Sequence, residues 1–361
     1  GRKERGKDKR QASNGSPGSE PGTGEASAVD PALVQQAIGV QERHNPRLME
    51  LSGVIGTGIA ADSSGKALIK IYVESDSDRE GLPAELDGVR VEAEVIGSAT
   101  PIDPAASKSS APLKPVPERP AAKPTGLTNG VNPAARLSRP VPIGVSTGNQ
   151  GRCMTGSIAC RLKDGSGNYY ALSNNHIFAL ENKGVLDSAI LQPGLVDTSC
   201  TLNLDNKIGT LLVYKQIFFG GVTNTIDAAL ARSSSDDLGK ATPSDGYGAP
   251  RVQPVAAALG LKVKKYGKST GLTTGTVTAI NVTLRIGYSS GNATFVKQII
   301  VSGTNFTNPG DSGSLLVRSS DNSPVGLLFA QVNSSVAVAN SVTDVLTEFR
   351  KTIPTLAIDG N

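Results

Sequence analysis

Residues 139–355 predict an all-β fold, and three observations carry that reading. The first is a series of short apolar runs broken by Gly, Asn, Asp and Ser, among them "GSIACRL", "YYALSNN", "KIGTLLVYKQIFF", "TIDAALAR", "GTVTAINVTLRIG", "TFVKQIIVSG" and "VGLLFAQV". Runs of this length and spacing suit the strands of a barrel or sandwich. The second is composition: 41 glycines against 4% aromatic residues lean toward a turn-rich chain. The third is that in this region only "VTDVLTEFRKTI", near the end, has a helical period, with Val342, Val345, Leu346 and Phe349 on one face.

The earlier part of the chain divides differently. Residues 1–30 are rich in Gly, Ser, Pro and Glu with almost no large apolar side chains, which predicts a disordered tail. From Pro31, "PALVQQAIGVQERH" places Leu33, Val34, Ala37 and Ile38 on one helical face, with Pro46 as a stop. Strand-like runs follow at 53–61, 67–75 and 89–97, so residues 31–100 read as a small α+β domain near the lower size limit for folding alone. "GVIGTGIA" within it lacks the full spacing of a phosphate loop and the helix that should follow, and reads as a Gly-containing strand. Residues 101–138 hold eight prolines among Ala, Ser and Lys, the composition of an extended linker.

Charge and cysteine content narrow the function classes. The net charge of +4 comes entirely from "GRKERGKDKR", and no basic patch elsewhere supports a nucleic-acid partner. No run approaches the roughly 20 apolar residues of a membrane span, and no secretory apolar segment stands near the start. Cys153, Cys160 and Cys200 permit at most one intramolecular disulfide, and with the histidines they fit no zinc spacing, so the compartment stays open and no metal or organic cofactor is expected.

The chain has two histidines, which almost closes the list of bases that could activate a serine. His44, between polar residues just before a proline, reads as part of a solvated helix end. His176 lies in "YYALSNNHIFALEN", where the apolar run Tyr169–Leu172 meets a polar turn and a second apolar patch. Ser312 lies in "NPGDSGSLLV", with glycines on either side of the Asp-Ser pair that free the backbone to aim N–H groups at one point. An orienting carboxylate should be shielded from water. Asp227 interrupts the apolar run "TIDAALA", whereas Asp187, Asp197, Asp205, Asp236, Asp237 and Asp245 stand in polar surroundings. The chain order His, Asp, Ser excludes an α/β-hydrolase, which runs Ser, acid, His; here Ser314 also replaces the last glycine of that fold's motif.

"ALSNNHIFA", "NTIDAALAR", "YGKSTGLTTGTV" and "NPGDSGSLLV", in that order, resemble the trypsin/chymotrypsin-like serine peptidases, especially bacterial members without a zymogen-type N-terminus. The resemblance spans about residues 139–355 and implies a double β-barrel with a C-terminal helix. It also implies a catalytic triad of His176, Asp227 and Ser312, with an oxyanion hole from the N–H groups of Gly310 and Ser312. Four features bear on it. The family's "AAHC" surroundings are "NNHI" here, and Ser314 adds a side chain beside Ser312. Phe306 matches the base of the primary specificity pocket, implying a hydrophobic or shallow pocket, although it also reads as a core aromatic. Asp311, which in zymogen-activated relatives pairs with a new N-terminus, has no obvious partner in the sequence.

The resulting expectation is a serine endopeptidase acting on a protein or peptide substrate. The alternative is a catalytically inactive or latent binding or scaffold protein on the same fold. A subsidiary expectation is self-cleavage or autoinhibition through the Pro-rich linker.

Overall fold

A computed structural model describes residues 29–102 and 130–361; the predicted tail up to residue 28 and residues 103–129 of the predicted linker lie outside the described residues. Two β-sheets dominate. One has eight strands in the order Ala357–Ile358, Cys160–Lys163, Tyr169–Ser173, Ala229–Ser233, Lys207–Tyr214, Ala189–Leu191, Ser146–Asn149 and Gly156–Ser157. The other has twelve, and six of them close into a ring: Gly271–Tyr288, Gly291–Ser302, Val336–Ser341, Pro324–Asn333, Leu315–Arg318 and Lys262–Gly267, the last pairing back to the first. Much of each sheet is covered on both faces, as in Pro324–Asn333, whose first seven residues are all buried. The helix Val342–Phe349 follows, N-capped by Ser341 and burying Val342, Val345, Leu346 and Phe349. The architecture is therefore mostly β, with the helix at the end that the sequence predicts.

The longest strand, Gly271–Tyr288, has 18 residues. Its register against Gly291–Ser302 shifts at three points between Val277 and Leu284, and bulges of this kind bend a strand. The bend lets one hairpin serve two neighbours. Its first half closes the ring, while Ile280, Thr283 and Leu284 pair with Val54–Ala61. Gly56 makes that pairing possible: a Cβ there would lie 2.5 Å from the Thr283 carbonyl oxygen.

Through this contact the N-terminal strands extend the sheet of the C-terminal half. Val54–Ala61 pairs with Ala67–Val73, which runs parallel to Val89–Val95. The helix Pro31–Leu48, with Asp30 accepting the Ala32 N–H at its start, packs Val34, Ala37, Val40 and Leu48 on these strands. Two details of the helix differ from the sequence reading. Leu33 points outward, and Pro46 lies inside the last turn rather than ending it. His44 Nε2 stands 3.0 Å from Asp87 Oδ2 on the partly exposed side. Cys153 and Cys200 form the disulfide, and Cys160 is free and buried.

Candidate active site

His176 stands in a short helix, Asn175–Phe178, directly after the strand Tyr169–Ser173. Ile177 and Phe178 anchor that helix in the core. The two asparagines before the histidine each hold backbone. Asn174 Nδ2 donates to the Asp227 carbonyl at 2.9 Å, and Asn175 Nδ2 donates to the Lys215 carbonyl at 2.6 Å. Asp227 precedes the strand Ala229–Ser233, and its own N–H donates to Asn340 Oδ1 at 3.0 Å.

The three side chains singled out from sequence meet at one point. His176 Nδ1 lies 2.6 Å from Asp227 Oδ2, and His176 Nε2 lies 2.8 Å from Ser312 Oγ. An ionised carboxylate only accepts, so Nδ1 carries the proton and Nε2 presents its lone pair to the Ser312 hydroxyl. The His176 backbone N–H donates to Asp227 Oδ1 at 3.1 Å, fixing the carboxylate plane. All three residues are at most 1% exposed, so the ion pair that proton transfer would create is shielded from water.

Gly310 and Gly313 hold the loop around Ser312 with φ of 105° and 90°, which glycine alone adopts freely. Space forbids a side chain as well: a Cβ on Gly313 would lie 2.2 Å from the Ser157 carbonyl oxygen. Ser157, which the sequence reading missed, ties this loop to the first half of the molecule. Its N–H donates to the Ser312 carbonyl at 2.6 Å, and its hydroxyl donates to the Gly310 carbonyl at 2.9 Å. The Gly310 N–H is left to point into the site, where it donates to a backbone carbonyl 3.1 Å away. Ser314 closes the turn from within, its hydroxyl donating to the Asp311 carbonyl at 2.7 Å.

Asp311 has the partner that sequence did not disclose. Lys265 Nζ lies 3.5 Å from its Oδ2, both side chains fully buried. The carboxylate also accepts the N–H groups of Ser269 and Asn308 and the Thr270 hydroxyl, at 2.9, 3.0 and 2.7 Å. Burial pushes the Lys265 ammonium below its ordinary range, and the charge of Asp311 works against that shift. Phe306 is buried in a cluster with Val263, Val277, Val301 and Leu316, and Lys265 Nζ stands 5.7 Å from its ring centroid.

Tyr288 is the other residue that sequence reasoning missed. It sits at the tip of the long hairpin, its hydroxyl 2.7 Å from Asp227 Oδ2. Burial first, then the charges of Asp227 and Glu181, raise its pKa far above the ordinary tyrosine value. Among the described residues, no three His, Cys, Asp or Glu side chains cluster as metal ligands, and no helix is long and apolar enough to cross a membrane.

No protein-family model and no curated protein matches the chain. Solved structures similar to it include bacterial serine proteases of the trypsin/chymotrypsin type. A glutamic acid-specific serine protease is 19% identical, with a TM-score of 0.43, the match covering 60% of this chain and 100% of that one. A Nocardiopsis protease is 17% identical over 60% of this chain and 98% of its own, with a TM-score of 0.41. Protease A of Thermobifida fusca is 15% identical over 61% and 99%, with a TM-score of 0.44. Likeness at this level says nothing of catalysis or specificity, which have to come from the residues of this chain.

Proposed function

We propose that the protein is a serine endopeptidase. The observation that carries this reading is the unbroken run of hydrogen bonds from Asp227 through His176 to Ser312, at 2.6 and 2.8 Å, in a buried setting. Ser312 Oγ attacks the carbonyl carbon of a peptide bond while His176 Nε2 takes the hydroxyl proton. Asp227 holds the imidazole in the required tautomer and stabilises the imidazolium. The Gly310 and Ser312 N–H groups receive the developing oxyanion, where one donor is typically worth ~10²–10³ in turnover. His176 then protonates the departing amine, and a water molecule, deprotonated by the same imidazole, releases the acyl group.

Phe306 closes the base of the primary specificity pocket in this reading. It brings no charge to attract a basic side chain, so the pocket takes an apolar one. The distances around His176 favour an enzyme over a scaffold with a disassembled triad. Replacing Ser312 or His176 by Ala should lower kcat on a casein or peptide-library substrate by a factor on the order of 10⁶. A Ser312→Ala protein that cleaves as fast as wild type would overturn the proposal.

A further inference from the structure

The chain itself lies against the triad. Residues 99–102 form an extended segment. Thr100 and Pro101 pair antiparallel with Gln331 and Ala330 on the strand Pro324–Asn333. On the opposite edge the Gly287 N–H donates to the Ala99 carbonyl at 3.0 Å, so the segment is held from both sides. Ile102 ends it in a distinctive position. Its N–H donates to the Phe329 carbonyl at 3.2 Å, the same oxygen that lies 3.2 Å from Ser312 Oγ. Its own carbonyl is the one that accepts the Gly310 N–H at 3.1 Å. Its side chain is fully buried in the apolar cluster that contains Phe306, Val301, Ala337 and Ala339.

Each of these contacts is one a substrate needs. The backbone is fixed by sheet pairing, the carbonyl is polarised by a donor from the loop that carries the nucleophile, and the side chain fills the pocket above Phe306. We infer that residues 99–102 are the chain's own substrate segment and that the enzyme cleaves itself between Ile102 and Asp103. The inference rests on the serine peptidase reading and adds its substrate class: an extended segment ending in a branched aliphatic residue, as in Ala-Thr-Pro-Ile.

The step balances within the molecule. Ser312 Oγ forms an ester bond with the Ile102 carbonyl carbon, and the bond from that carbon to the Asp103 nitrogen breaks. The hydroxyl proton passes through His176 to the nitrogen, which becomes a new amino terminus. Water then hydrolyses the ester, leaving an Ile102 carboxylate and restoring Ser312. The cut does not release the N-terminal part, because Val54–Ala61 remains paired to the long hairpin. The product therefore stays in the site as an inhibitor supplied by the chain, until that sheet pairing is lost.

The test is intact mass and N-terminal sequencing of the full chain. Wild type should yield a polypeptide beginning at Asp103, and Ser312→Ala should remain whole. Ile102→Val should be cut at the same bond, and Ile102→Asp should not. A wild type that stays whole, or is cut only elsewhere, overturns the inference. Fluorophosphonate labelling of folded Ile102→Asp, whose charged side chain disfavours the occluding pose, separates the two layers. A wild type that stays whole while folded Ile102→Asp takes the label on Ser312 removes self-cleavage and leaves the peptidase, whereas a whole wild type together with an unlabelled Ile102→Asp removes both. Since a buried aspartate can also disturb folding, the processed chain, once separated from the residues up to 102, is assayed on a chromogenic peptide ending in Ala-Thr-Pro-Ile. It should be hydrolysed about 100-fold faster than the same peptide ending in Lys or Glu; equal rates contradict the pocket assignment.

Discussion

The Tyr288 hydroxyl donates to Asp227 Oδ2 at 2.7 Å, the oxygen that also receives His176 Nδ1. Both donors depend on the carboxylate staying ionised, and each steadies it for the other. A hydrogen bond to a charged group contributes about 1.5–3 kcal/mol. Tyr288→Phe should therefore lower kcat by about 10-fold or more with little change in KM, because the tyrosine touches Asp227 and not the substrate. Steady-state kinetics with a circular-dichroism check of folding measures this; an unchanged kcat would remove Tyr288 from the positioning chain.

Lys265 and Asp311 form a fully buried ion pair beside the loop that holds Ser312. Removing one partner of such a pair leaves an uncompensated charge at a cost of about 3–5 kcal/mol. Lys265→Met should lower unfolding stability by that order in urea titration and should cut activity by loosening Asn308–Ser312. Adding Asp311→Asn to Lys265→Met should recover part of the stability, because the stranded charge is gone.

The disulfide Cys153–Cys200 closes a loop with a sequence separation of 47. Chain entropy for a loop of this size corresponds to about 4 kcal/mol. The Cys153→Ser/Cys200→Ser variant should unfold at correspondingly lower denaturant. Cys160 should remain unmodified by thiol reagents in the folded protein, since burial pushes its thiol well above the ordinary range.

Glu181 accepts hydrogen bonds from the Ser289 and Ser290 hydroxyls and backbone N–H groups at the hairpin turn next to Tyr288. Burial acts to raise its pKa, but the hydrogen bonds from Ser290 and Ser289 outweigh it and hold the carboxyl below the ordinary 4.5. The folded state thus binds fewer protons than the unfolded one. The stabilisation is complete above pH 4.5 and fades as pH falls through the lowered native value. Stability measured from pH 6 down to about 2 should fall in that window for wild type. Glu181→Gln should start lower and lose that part of the slope.

The side chains that come together are legible in the sequence where residue type and surroundings are distinctive. One of only two histidines, an aspartate inside an apolar run and a serine between glycines are the three side chains that meet. What stayed hidden depends on register and on distant pairing. Tyr288 is 61 residues from Asp227 and looks like an ordinary hairpin end. Lys265 left a trace: strand alternation puts it on the same face as buried Val263, while Lys262 and Lys264 face the other way. "LKVKKYG" was readable as a strand with one lysine turned inward. The link between residues 54–61 and the long hairpin had no such trace, because a bulged strand that serves two neighbours leaves no periodic pattern. Ile102 was legible only as the start of a Pro-rich stretch.

The most direct measurement of the central claim is fluorophosphonate labelling, with the modified residue located by peptide mass spectrometry. It should be made on the processed protein after the N-terminal part has been removed, alongside His176→Ala. The proposed chemistry predicts a single adduct on Ser312 in the wild type and none in His176→Ala, because the serine is nucleophilic only when the imidazole takes its proton. A folded wild-type protein that carries no adduct at Ser312, or a His176→Ala protein labelled equally fast, would contradict it.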